Sequence, residues 1–306
     1  MVKPRSGKRW SRIKREGALH VMLLPAVVLL IIFSYVPMAG IIMSFQNFRL
    51  GQGIFNSAFV GLDNYRFLLS LPNTMQVLQN TIIIAVSKII AGLIVPIIIA
   101  LLLNEIRRVR FARGVQLTLY LPNFLSWVIL GGILVDILSP STGIVNQFIS
   151  FLGFEPIFFL GDPRWFRTTM VVTDVWREFG WRLIIFMAAL TAVDLTLYEA
   201  AIVDGAGRWK QMLHITLPSI TPIIILVATL ALGNVLNAGF DQIFNLYSPQ
   251  VFHVGDILDT FIFRLGMADA RFSLAAAAGL FRSIVSCVLI SISYYLAYRF
   301  ADYRIF

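Results

Sequence analysis

Six apolar runs alternate along the chain with shorter polar stretches, near 18–45, 75–103, 113–135, 167–190, 219–241 and 274–298. A helix needs about 20 predominantly apolar residues to cross a bilayer, and each run reaches that length. The first contains no Asp, Glu, Lys or Arg between Ala18 and Phe48 and follows a basic leader. A cleaved signal has an apolar region of only about 7–15 residues, so this run is expected to be retained as a span. Between the fourth and fifth runs the pattern changes: residues 199–218 read EAAIVDGAGRWKQMLHITLP, with charges and glycines between short apolar stripes. The pattern predicts an all-α integral membrane protein with six transmembrane helices. Residues 1–17 form a basic tail, and 18–306 form one membrane domain interrupted by the loop 191–218.

Composition agrees. Of 306 residues, 58% are hydrophobic and 13% charged, against about 45–50% and about 25% in soluble domains. The net charge of +9 raises nucleic acid as a partner, but the basic residues flank apolar runs, and orientation in a membrane accounts for them. Fifteen Lys and Arg fall in the N-terminal tail, the 104–113 loop, the 191–218 loop and the C-terminus, whereas six fall in the alternate loops. Cytoplasmic loops carry the excess of Lys and Arg, so both termini and the 191–218 loop are expected in the cytoplasm. The outer loops, roughly 46–74, 139–166 and 242–273, are long and aromatic; they read either as lids over the span ends or as a docking surface for an external partner. In the second of them Ile144, Val145, Phe148 and Leu152 recur at helical spacing and predict a short interfacial helix.

The polar stretch predicts a helix–turn–helix. Asp194 can cap a helix through Asp204 by accepting from free backbone N–H groups. Gly205 and Gly207 suit the positive φ that ends it, and a second helix from about Arg208 to Thr216 is expected to stop before Pro218. Leu195, Tyr198, Ala201 and Ile202 share one face of the first helix, and Trp209, Met212, Leu213 and Thr216 one face of the second. Such faces pack either on their own bundle or into a groove of a soluble partner.

Glu199-Ala200-Ala201, Gly205 and Ile215-x-Leu217-Pro218 resemble the EAA loop of binding-protein-dependent ABC importer permeases. The surrounding DLTLYEAAIVDGAGRWKQMLHITLPSITP, together with SYVPMAGIIMSFQNF, LPNFLSWVI, VWREFGWRLIIF and AGLF, is similar to the carbohydrate-uptake, maltose-type branch and most of all to permeases for oligosaccharides and polysaccharide fragments. One departure is DTFIFRLG at 259–266, where Phe261 and Phe263 replace tyrosines. The resemblance implies a type I ABC importer transmembrane domain in a bacterial cytoplasmic membrane. It implies as partners a second, similar permease subunit, two cytoplasmic ABC ATPases and an extracytoplasmic solute-binding protein. Glu199, Ala200, Ala201, Asp204, Gly205, Trp209, Met212, Leu213, Leu217 and Pro218 would then couple the permease to the ATPase. The chain carries no GxxxxGK[ST] phosphate loop, so ATP and Mg would be held by the partner ATPases and this chain would hold no cofactor.

Charges inside the runs need a reason, because each costs about 2.5–3.5 kcal/mol at a helix centre on insertion scales. Lys88 lies in the second run, Asp174, Arg177, Glu178 and Arg182 in the fourth, Asp241 at the end of the fifth and Arg282 in the sixth. The i, i+4, i+8 spacing of Asp174, Glu178 and Arg182 allows self-neutralisation along one helix. Arg177, Glu178 and Trp181 also combine charge with an aromatic surface of the kind that binds sugars. Asn234, Asn237 and Asp241 recur at i, i+3, i+7 and predict one polar stripe on the fifth helix, bonding either to other helices or to solute. Lys88 is a candidate counter-ion for Asp241 or Asp174, or for an acidic sugar. The rival readings are a permease for a smaller polar solute such as an amino acid, a secondary carrier or channel, and a membrane enzyme. Against the last, the three histidines (His20, His214, His253) are scattered and Cys287 is the only cysteine, which offers no metal or nucleophile constellation.

Overall fold

A computed structural model describes residues 17–106, 108–233 and 235–301, the side chains of Ala18 and 296–301 excepted. Helix α1 (Gly17–Leu30) continues through a π turn (Ile31–Tyr35), α2 (Val36–Met38) and a 3-10 segment (Ala39–Phe45). This first span is apolar on every side, as a lipid-facing rod should be, and none of its most apolar stretch is buried. A two-residue hairpin pairs β1 (Gln46–Asn47) with β2 (Ala58–Phe59) across α3 (Gly53–Asn56). After α4 (Asp63–Ser70) comes α5 (Pro72–Asn104), the second span. Its 33 residues rise about 50 Å, more than the roughly 30 Å hydrocarbon core requires.

The third run is not the straight span predicted for 113–135. Helix α6 (Val109–Tyr120) and a 3-10 turn (Leu121–Phe124) meet α7 (Trp127–Ile137) at 104°. Leu125 and Ser126 are extended at the corner, and the Ser126 hydroxyl accepts from the Ile129 N–H to start α7. Beyond the corner lies α8 (Ile144–Phe151), the short helix expected in the second outer loop. The fourth span, α9 (Pro163–Thr191), starts from an Asp162 cap and leads through a 66° bend into α10 (Leu195–Val203). At Gly180 a Cβ would stand 2.7 Å from the Leu119 carbonyl, so only glycine lets α9 approach the end of α6 so closely.

The fifth span departs from expectation at both ends. Helix α11 (Arg208–Gln211) does not stop before Pro218; it passes through a π turn (Met212–Thr216) into α12 (Leu217–Gly233) as one apolar rod. A proline interrupts a helix because its ring meets the carbonyl four residues back and its N–H is missing. The π turn answers this: the Leu217 N–H bonds to the Met212 carbonyl, five residues back, and shifts the hydrogen-bonding register just ahead of Pro218. At the other end the helix closes at Gly233, short of the predicted 241. Residues 235–239 are irregular, with Gly239 at a φ of +93°, and the chain restarts as α13 (Phe240–Leu246).

Residues 242–273, expected as a lid or a docking loop, contribute several buried residues to the core while 249–250, 253 and 267–271 stay exposed. A 3-10 turn (Pro249–Val251), α14 (Phe252–Gly255), α15 (Leu258–Phe263) and a π turn (Arg264–Ala268) lead to the last span, α16 (Phe272–Ala301). Gln242, Ile243, Val251, Ile257 and Thr260 are wholly buried. Ile243, Val251 and Ile257 pack with Ile84 of α5, Leu130 of α7 and Phe166 and Met170 of α9 to form the main core. A second cluster near the predicted cytoplasmic end joins Ala100 and Leu103 of α5 to Leu183 and Phe186 of α9 and Ile220 of α12. Lipid is as apolar as leucine, so close packing and interhelical hydrogen bonds, rather than escape from water, hold these helices together.

Candidate functional site: a solute cavity and a helical elbow

The elbow between the fourth and fifth spans is built from local bonds. Asp194 Oδ1 accepts from the Thr196 N–H at 2.9 Å, and that bond holds the carboxyl below its ordinary pKa. At the far end of α10 the Ala206 N–H reaches back to the Ala201 carbonyl at 2.8 Å, while Gly205 adopts φ +74°. Gly207, expected at positive φ, has φ −68° and serves as the start of α11. Gln211 Nε2 donates to the Ala206 carbonyl at 2.7 Å, and the Tyr198 and Thr216 hydroxyls meet at 2.8 Å. The two arms are thereby fixed to each other.

The apolar face expected on the second arm divides in two. Thr216 is buried, and Met212 and Leu217 pack against the second core cluster. Trp209 and Leu213 stay exposed, at 72% and 52%, as do Leu195, Ile202 and Val203 on the first arm. Glu199, Ala200, Asp204, Gly205 and Pro218 also lie on the exposed side, with Ala201 half-buried. Arg208 reaches Glu105 at 3.7 Å and ties the elbow to the end of α5.

At the other end of the fifth span the break at Gly239 opens into a cavity of about 340 Å³, lined by Trp127, Asn237, Gly239, Phe240, Asp241, Asp259 and Arg282. Arg282 of α16 pairs with Asp259 of α15 at 2.5 Å. Asn237 and Asp241 reach this cavity, although not as a stripe on one helix, because residues 235–239 are not helical and a new helix begins at Phe240; Asn234 lies outside the described residues.

Behind Gly239 sits Lys88, 6% exposed. Its Nζ donates to the Ala238 carbonyl at 2.7 Å, pairs with Asp174 at 3.1 Å and bonds Gln242 Oε1. Gln242 Nε2 in turn donates to the Met170 carbonyl at 2.8 Å and to Thr173 Oγ1 at 2.7 Å. A Cβ on Gly239 would come within 2.8 Å of Lys88 Nζ. Glycine is required here twice, for its positive φ and for the approach of the ammonium. Of the counter-ions foreseen for Lys88, Asp174 is the one it meets.

The fourth-span charges neutralise one another only in part, and not at the i, i+4, i+8 spacing of Asp174, Glu178 and Arg182. Asp174 faces α5, whereas Arg177 pairs with its neighbour Glu178, donates to the Leu125 carbonyl at 3.1 Å and lies 5.0 Å over the Trp127 ring. Arg177 therefore supports the cavity from behind, through Trp127. Trp181 is 64% exposed and lines no part of the cavity. Sequence reasoning assigned no role to Trp127, Phe240, Asp259 or Arg282. A signal existed for Arg282 alone, a solitary charge in an apolar run that must find a partner.

Comparisons with known proteins agree with this architecture. Protein LplB of Bacillus subtilis (strain 168) is 37% identical over 301 residues, 98% of this chain and 95% of that protein. The polygalacturonan/rhamnogalacturonan transport system permease protein YteP of the same organism is 38% identical, covering 96% of this chain and 92% of that protein. Among solved structures, a chain of a bacterial ABC transporter involved in the import of the acidic polysaccharide alginate superimposes with a TM-score of 0.88 at 35% identity, over 96% of this chain and 99% of that one. A second structure of an alginate ABC transporter, in complex with an alginate pentasaccharide-bound periplasmic protein, gives a TM-score of 0.87 at 36% identity, over 95% and 97%. Residues 92–304 match the family described as binding-protein-dependent transport system inner membrane component, and the chain belongs to that family.

Proposed function

We propose that this chain is the membrane-spanning permease subunit of an ATP-driven importer that passes an oligosaccharide or polysaccharide fragment delivered by an extracytoplasmic binding protein. It works with a second, similar permease subunit and with two cytoplasmic ATPases that hold ATP and Mg. Its own part is mechanical; no bond is made or broken on it. Both termini and the elbow face the cytoplasm in this reading, which the excess of Lys and Arg on that side supports.

The observation that carries this reading is the continuity of the elbow with the fifth span. Exposed Trp209 and Leu213 sit on the same unbroken helix, Arg208–Gly233, that ends beside the cavity. A helix buried at one end in a partner's groove transmits displacement along its axis, since its backbone bonds resist stretching. The cavity matches a sugar: aromatic Trp127 and Phe240 offer flat apolar faces, and Asn237, Asp241, Asp259 and Arg282 offer hydroxyl partners.

The test is purification of the intact complex with its binding protein, identification by mass spectrometry of the solute retained, and assay of uptake. Gly205→Val forces a β-branched residue to a φ of +74° and should leave the subunits assembled while abolishing solute-stimulated ATP hydrolysis. Unchanged coupling in that variant, or a chain that co-purifies with no ATPase, refutes the reading.

A further inference from the structure

The charges around the cavity pair off with one exception. Arg282 is neutralised by Asp259 at 2.5 Å and Lys88 by Asp174 at 3.1 Å, and Arg177 is neutralised by Glu178. Asp241 lines the cavity as well, and its carboxylate has no side-chain partner among the described residues; only its backbone carbonyl is engaged, accepting from Asn245 Nδ2 at 2.7 Å. Arg182, the next cation along α9, lies eight residues past Asp174, about 12 Å of helical rise beyond it. It is not part of the cavity wall. The wall thus presents a free carboxylate, a closed Arg–Asp pair, an amide and two aromatic faces.

We propose that this wall sets the charge of the cargo: it admits an uncharged, hydroxyl-rich saccharide and disfavours one carrying carboxylates. This rests on the carbohydrate reading above and goes beyond it by naming the substrate class. A carboxylate beside Asp241 meets a like charge within a few ångströms, closer than the screening length of about 8 Å at physiological salt, although Asp241 itself is exposed. A hydroxyl in the same place donates to Asp241 in a charge-assisted hydrogen bond. Arg282 does not reverse the preference, because Asp259 already occupies it. The chain therefore parts company with the importer of acidic alginate that it superimposes on. A free carboxylate in a wall with two aromatic residues also attracts a cationic sugar, and the paired Arg282 offsets that attraction no more than it offsets the repulsion of a carboxylate.

The experiment uses the intact complex with its binding protein in proteoliposomes. The retained saccharide, identified by mass spectrometry, is compared in uptake with the same backbone carrying one uronic acid, and with one carrying one amino sugar. The expected cargo is uncharged, and the uronate form is taken up at least about tenfold less efficiently, a difference of about 1.4 kcal/mol. Asp241→Asn removes the charge and keeps a polar side chain of the same size. With the binding protein unchanged, it should narrow that gap to about threefold or less, a shift the complex's other components cannot produce. A retained saccharide that bears carboxylates overturns the proposal, and so does uptake of the amino-sugar form below that of the uronate form. So does a gap that stays the same in Asp241→Asn, or uptake of both forms lost in equal proportion. If neutral uptake continues while the gap stays fixed, the carbohydrate reading stands and only the charge filter fails. If no saccharide is retained at all, both fall together.

Discussion

Removing the Lys88 ammonium tests the physical core of the cavity floor. In Lys88→Met the chain keeps a side chain of similar length, but Asp174 loses its counter-ion at 3.1 Å and the Ala238 carbonyl its donor at 2.7 Å. Gln242 Oε1 also loses its bond to Nζ. Breaking one side of a buried pair typically costs about 3–5 kcal/mol, because the remaining charge is stranded. Heat-induced aggregation of the detergent-solubilised complex should therefore begin on the order of 10 °C lower. In the double variant Lys88→Met/Asp174→Leu the stranded charge is gone. Only two acceptors remain without a donor, and interhelical bonds of this kind contribute about 0.6 kcal/mol each on average in membranes. The double variant should thus recover most of the loss and sit within about 1–2 kcal/mol of the parent. A single variant as stable as the parent, or a double variant no better than the single, would refute the argument that this pair fastens the broken end of the fifth span.

Three further outcomes follow from the same geometry. Gly239→Ala places a methyl 2.8 Å from Lys88 Nζ at a φ of +93°; it should destabilise the complex by about 1–2 kcal/mol from the backbone alone, and adding Lys88→Met should relieve the contact but not the backbone term. Tyr198→Phe removes the 2.8 Å bond to Thr216; it should cost about 0.5–1.5 kcal/mol and loosen the elbow, read as faster amide exchange in α10 with the core clusters unchanged. Asp194 has its pKa depressed by the Thr196 N–H, so its contribution is present above the unfolded carboxylate pKa, near 3.9, and fades as pH falls through the lower folded value. Protection of the first amides of α10, measured against the intrinsic exchange rate at each pH, should accordingly fall below about pH 4, whereas in Asp194→Ala it should be low at all pH values.

Much of the elbow is legible in the sequence because its determinants are neighbours. Asp194 caps a helix two residues on, and Gly205 turns it. The end of its second arm is not, since the rule that proline stops a helix assumes an unaltered register, and the π turn at Met212–Thr216 changes that register. The corner at Leu125–Ser126 escapes notice for a different reason: the apolar run continues through it, and hydropathy carries no information about direction. The polar stripe at 237 and 241 is the instructive case. Both residues reach the cavity, but on two sides of a break made by Gly239 and held by a lysine from another span.

By itself the sequence determined that the chain is helical and membrane-embedded, where the first, second, fourth and sixth spans lie to within a few residues, and where it makes a water-compatible elbow. These follow from local hydropathy, capping and glycine conformation, all readable within a few turns of helix. Tertiary structure alone decided which charge meets which, that residues 242–273 contribute several buried residues to the core, and that Trp127, Phe240, Asp241, Asp259 and Arg282 surround one cavity. In a membrane both the inner and the outer faces of a helix are apolar, so a hydrophobic pattern cannot say which face turns inward. That choice is made by close packing at residues such as Gly180 and by the partners that buried charges require.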